Sequence, residues 1–100
     1  MRTLARRFGT PAGELDLVMR ESETVVFVEV KTQRSRDFAD PQDRVTPGKQ
    51  RKLIKAARWY VRGKHCEDAP CRFDVVSVIA ADGCEPEIDY FVDAFAPRDW

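Results

Sequence analysis

One run constrains this chain more than any other: Val25-Val26-Phe27-Val28-Glu29-Val30-Lys31, nearly continuous in β-branched and apolar side chains and broken by an acid. Such a run suits a central strand covered on both faces. A carboxylate in the middle of it needs a cation, a proton or a metal ion, because an unpaired buried charge is costly. The length of 100 residues fits one domain, residues 1–100, burying roughly 60–70% of its unfolded surface. No apolar stretch approaches the roughly 18 residues of a membrane helix, and the first residues do not resemble a secretory signal, so the expectation is a cytoplasmic protein without membrane contact. Cys66, Cys71 and Cys84 form an odd set without a C-x-x-C pair, which predicts free thiols rather than disulfides or, with His65, a zinc site.

Around the central run the pattern predicts the order β-β-β-α-β-β. Arg2 to Phe8 and Glu14 to Arg20 alternate weakly and are separated by Gly9-Thr10-Pro11-Ala12-Gly13, a strand-turn-strand pattern. Thr46-Pro47 reads as a helix start, with a capping hydroxyl followed by a proline that lacks only a dispensable N–H. The helix is expected to end near Gly63. Leu53, Ile54, Ala56, Ala57, Tyr60 and Val61 share one face of it, and Arg51, Lys52, Lys55, Arg58 and Arg62 share the other. Gln50 falls within the apolar arc. Arg72 to Ile79 reads as a further strand, and Ile88, Tyr90 and Val92 alternate after the turn signal Asp82-Gly83.

Zero net charge conceals an asymmetry. Residues 1–30 carry a net charge of −1, residues 31–72 of +7 and residues 73–100 of −6. The central block predicts a local anion-binding face with salt-sensitive affinity for nucleic acid.

If Glu21 to Thr24 close a hairpin, Arg20 pairs with Val25, and counting outward sets Asp16 opposite Glu29 and Glu14 opposite Lys31. Alternation puts Glu14, Asp16 and Val18 on one side and Leu15, Leu17 and Met19 on the other. Three carboxylates and one ammonium then share a site, an excess of negative oxygen suited to Mg²⁺ or Mn²⁺. The same spacing also fits a plainer arrangement, with Glu14 and Lys31 as a cross-strand ion pair and Asp16 and Glu29 at a solvated sheet edge.

Four blocks follow in order: Gly13-Glu14-Leu15-Asp16-Leu17, Val28-Glu29-Val30-Lys31-Thr32, Val45-Thr46-Pro47 with Lys49-Gln50, and Arg72-Phe73-Asp74-Val75-Val76. Together, across Leu4 to Phe95, they resemble the YraN-like family of small predicted endonucleases within the PD-(D/E)xK nuclease superfamily, whose relatives include Holliday-junction resolvases. The resemblance implies a restriction-endonuclease-like α/β fold with a mixed sheet of four to five strands, lacking the usual N-terminal helix. Without that helix, some of Leu15, Leu17, Val26, Val28 and Val30 would be uncovered and a homodimer could form. It also implies a metal-dependent endonuclease acting on DNA rather than RNA, branched or structured DNA included. Catalytic roles fall on Asp16, Glu29, Lys31 and Gln50, and the metal ligands are Asp16, Glu29, the Val30 carbonyl and Glu14.

Lys31 is expected to stay charged beside its carboxylates and to act electrostatically, and Gln50 to hydrogen-bond the attacking water or a metal-bound ligand. Arg34, Arg36, Arg44, Arg51, Lys52, Lys55 and Arg58 are the candidate contacts to the nucleic-acid backbone. Two other readings stand beside this one. The first is a weak or inactive nuclease-fold module that binds nucleic acid or a protein, and the second an unrelated domain whose basic helix docks an acidic partner.

Overall fold

A computed structural model describes residues 1–34 and 45–96. Strands β1 (Arg2–Thr10), β2 (Gly13–Glu21) and β3 (Thr24–Gln33) form a meander, helix α1 (Pro47–Gly63) crosses over, and β4 (Cys71–Ile79) and β5 (Glu87–Phe95) complete the chain. The five strands lie in sequence order. β3 pairs with β4 in parallel and every other neighbour is antiparallel, so this is a mixed sheet in an α/β fold, in the order expected. The helix is what makes the parallel pair possible, since parallel neighbours need a long crossover. Among the described residues no helix is long and apolar enough to cross a membrane.

The helix begins where its capping chemistry places it. Thr46 Oγ1 accepts the Lys49 N–H at 3.2 Å, and the Thr46 carbonyl accepts the Gln50 N–H at 2.8 Å. Its end is sealed two residues beyond Gly63. His65, at φ 55°, takes the left-handed conformation, and the Cys66 N–H reaches back to the Val61 carbonyl at 2.9 Å. His65 is thus occupied with ending a helix.

Leu53, Ala56, Ala57, Tyr60 and Val61 are buried against the sheet. A row of rings runs across the strands beneath them. Phe8 and Phe27 meet Tyr60 edge-on at 5.1 and 6.0 Å, Phe27 stacks on Phe73 at 5.3 Å, and Phe73 stacks on Phe95 at 4.9 Å. Ile88, Tyr90 and Val92, the alternating set of β5, are exposed instead, and Phe91 and Phe95 pack against the core.

Two expectations about sheet faces need correction. Leu15 and Val18, three residues apart, both belong to the core cluster that contains the helix, so strict alternation fails in β2. The pairs Phe8↔Leu15 and Arg6↔Leu17 flank Arg7, whose φ of 48° is left-handed and turns the strand there. Nor is the face away from α1 bared as expected. Val26 and Val28 on that face are buried, and Leu17 and Val30 are half-buried, while Leu15 lies on the helix side. All three cysteines are free thiols, and burial pushes Cys71 up to about 11, far from a reactive thiolate.

Candidate functional site

The hairpin register is the one that loop length requires: Arg20 pairs with Val25 and Glu21 with Thr24. The β2–β3 ladder continues to Leu17↔Val28 and stops. Beyond that pair β2 follows β1, where Glu14 pairs with Gly9. At the parting of the strands a side chain replaces a ladder bond, because the Val30 N–H donates to Asp16 Oδ2 at 2.9 Å. This contact holds the Asp16 carboxylate against β3 next to Glu29.

Glu29 lies on the helix face of β3, in register with Val75 of β4, and is only 7% exposed. Its partner comes from the first turn of α1: Lys49 Nζ stands 2.9 Å from Glu29 Oε2. Burial pushes the Glu29 carboxyl up, the Asp16 carboxylate beside it pushes in the same direction, and Lys49 only partly offsets them. Two adjoining carboxylates, one of them held above its ordinary value, form an oxygen donor set short of positive charge. That chemistry fits a hard divalent ion such as Mg²⁺ or Mn²⁺.

The charge pattern differs from the expectation of three carboxylates and one ammonium. Glu14 is exposed and lines the groove that also exposes Asp16, Glu29, Lys49 and Lys52, but it is not opposite Lys31. Among the described residues, no three carboxylate, imidazole or thiol side chains gather closely enough to hold an ion by themselves. The physical reason is the early end of the β2–β3 ladder, which carries Glu14 off with β1. What gathers instead is two carboxylates between two amines.

Lys31 is shifted down from its ordinary value. Burial is the larger cause and the neighbouring Lys49 ammonium the next, and together they outweigh the pull of Glu29 and Asp16. Lys49 is shifted up by its contact with Lys31 and by Glu29. Of the two amines, Lys31 is the one that gives up its proton first as pH rises. Ser77 stands in register with Lys31 on β4. Its buried Oγ has no hydrogen-bond partner among the described residues.

Gln50 also makes a contact that sequence reading did not anticipate. Its Nε2 donates to the Val45 carbonyl at 2.8 Å, which fixes the entry of the chain into α1 and explains a polar residue within the apolar arc. Its neighbour Lys49 reaches the carboxylate. Lys49 was legible in principle, because it precedes Leu53 by four residues and Ala56 by seven and so begins the buried stripe of α1. Of the basic residues, Arg51, Lys52 and Lys55 are exposed and line a second groove with Thr46, Gly48 and Lys49. Arg34 is exposed just after β3, and Arg58 is half-buried on α1. Arg36 and Arg44 lie outside the described residues.

The chain is a mixed α/β sheet with a carboxylate pair at the parting of two strands and a basic helix beside it. The model of the Uncharacterised protein family UPF0102 matches residues 1–78, and the chain belongs to that family, the YraN-like one. It is similar to the UPF0102 protein of Geotalea uraniireducens (strain Rf4), at 47% identity over 90 residues, which are 90% of this chain and 71% of that protein. The UPF0102 protein of Syntrophotalea carbinolica is 40% identical over 100 residues, all of this chain and 80% of its own.

Proposed function

We propose that this protein is a divalent-metal-dependent endonuclease that hydrolyses phosphodiester bonds in DNA in preference to RNA. The observation that carries the reading is the meeting of Asp16 and Glu29 where β2 and β3 separate, with the Asp16 carboxylate pinned by the Val30 N–H. The similarity of the four sequence blocks to PD-(D/E)xK nucleases supports it.

Asp16, Glu29 and the Val30 carbonyl would hold Mg²⁺ or Mn²⁺. The ion, when bound, supplies polarisation of the phosphodiester and a water of lowered pKa. Lys31, on the same strand face as Glu29, orients that water and offsets the negative charge that develops on the phosphoryl oxygens. Arg51, Lys52 and Lys55 hold the backbone along the helix without reading bases. Gln50 contributes by fixing the start of α1, and with it the position of Lys49.

The test is cleavage of duplex, branched and single-stranded DNA and of RNA with Mn²⁺, comparing the wild type with Asp16→Ala and Glu29→Ala. Each substitution is expected to lower the rate by roughly 10³-fold, the size of losing one charge-stabilising element, with the melting curve retained. Cleavage that survives in both variants, or a wild type inert toward every substrate, rejects the reading.

A second reading has one observation in its favour: Lys49 already gives the Glu29 carboxylate a partner, as a retained scaffold without catalysis would need. It predicts duplex binding indifferent to Mn²⁺.

A further inference from the structure

Lys49 belongs to two grooves at once. In one it faces Asp16 and Glu29, and in the other it stands with Thr46, Gly48, Arg51, Lys52 and Lys55 on the first turns of α1. Its ammonium is 2.9 Å from the Glu29 carboxylate, yet its side chain is 41% exposed. The head group is therefore bound while part of the stem is in water, and a four-carbon stem can swing without disturbing the helix.

The charges at the carboxylate pair determine when it should swing. Asp16 and Glu29 together carry two negative charges, and Lys31 and Lys49 balance them. A divalent ion on the same oxygens would leave two ammoniums and a dication packed around two carboxylates. Like charges at such range, in a partly buried site, repel strongly. Lys31 is rooted in the central strand, whereas Lys49 has an exit toward the second groove, whose other cations favour an anion.

We propose, on the metal-dependent reading above, that Lys49 is an exchangeable counter-ion: it serves Glu29 until a divalent ion arrives, then turns to hold a backbone phosphate of the nucleic acid. It is a positioning residue that couples the two binding events. Metal entry releases the ammonium for the phosphate, and a phosphate in the groove draws the ammonium off Glu29 and eases metal entry, as reciprocity requires.

The test is calorimetric titration of Mn²⁺ into the wild type, Lys49→Met and Lys49→Arg, each first shown to be folded by thermal melting. Lys49→Met is expected to bind Mn²⁺ more tightly by on the order of five- to fifty-fold, the range of ordinary coupling between sites, and Lys49→Arg to stay close to the wild type. In parallel, fluorescence anisotropy follows a short labelled DNA duplex with and without Ca²⁺, the duplex being checked intact on a gel. The ion should strengthen duplex binding by the wild type, and that gain should vanish in Lys49→Met. Equal or weaker Mn²⁺ binding by Lys49→Met, or an undiminished gain, overturns the exchange while leaving the nuclease reading in place. Absence of Mn²⁺ uptake by both the wild type and Lys49→Met overturns the metal-dependent reading and the exchange together.

Discussion

The sheet carries a buried acid on each face, and the two are solvated by protein in opposite ways. Asp74, fully buried on the face away from α1, accepts from Arg72 Nε at 2.9 Å, Arg72 Nη2 at 3.1 Å, the Asp93 N–H at 2.9 Å and the Tyr90 hydroxyl. Burial alone would push its carboxyl up, but Arg72, Tyr90 and the Asp93 amide outweigh burial and leave it below the ordinary value. Glu29, one register position further along and on the other face, meets one exposed lysine and a second carboxylate, and it stays above its ordinary value. A saturated acid is a structural fastener, since its oxygens have nothing left to offer a ligand. An acid left short of donors, at the lip of a groove, has chemistry still to do.

The sharpest way to break this contrast is to remove each acid in turn. Asp74→Ala strips the acceptor from a buried network and should cost about 3 kcal/mol, near the lower end for breaking a buried pair because Arg72 retains some water and Glu21 at 3.2 Å. Glu29→Gln removes a charge that the fold holds at a disadvantage, and its stability should change by less than about 1 kcal/mol, toward greater stability. Urea unfolding of the two variants decides the matter. Equal losses would mean that Glu29 is as structural as Asp74.

Most of this frame can be read from the residues. Val25 to Val30 announces a central strand, the spacing from Glu21 to Thr24 sets the hairpin register, and Thr46-Pro47 starts the helix. From these, the nearness of Asp16 and Glu29 follows by counting. What could not be counted depends on backbone irregularity or on distant packing. Leu15 and Val18, three residues apart on β2, both reach the core, and the end of the β2–β3 ladder at Leu17 removes Glu14 from Lys31. The Asp74 network needs the register shift between Phe73 and Val75 and the left-handed Asp93, whose N–H is aimed at the carboxylate. Lys49 lay within the core stripe but among so many cations that nothing in composition singled it out.

Acidity and alkalinity probe the Asp74 network from both sides. Its folded pKa is depressed, so its contribution is complete above the ordinary value of 3.8 and is lost as pH falls through the lower folded value. Tyr90 behaves in the opposite sense. Burial, and then the hydrogen bond to Asp74, push its hydroxyl from 10.0 up to about 12, so stability should decline as pH rises between those values. Tyr90→Phe should abolish the alkaline decline assigned to this group and cost about 1 kcal/mol at neutral pH for the lost bond. A decline of unchanged size in Tyr90→Phe, followed by thermal melting across pH, would assign it to another group.

The smallest effect concerns Ser77, which lies on the Glu29 face in register with Lys31. A hydroxyl fully buried without a partner among the described residues is a cost that the fold carries, so Ser77→Ala should leave stability unchanged or raise it by up to about 1 kcal/mol. The same change removes a hydroxyl that stands in register with Lys31 on β4. If that hydroxyl serves only packing, Mn²⁺ affinity and cleavage will match the wild type. A melting temperature that rises while cleavage falls would place Ser77 with the under-satisfied groups of the Glu29 face, and would widen the difference between the two sides of the sheet.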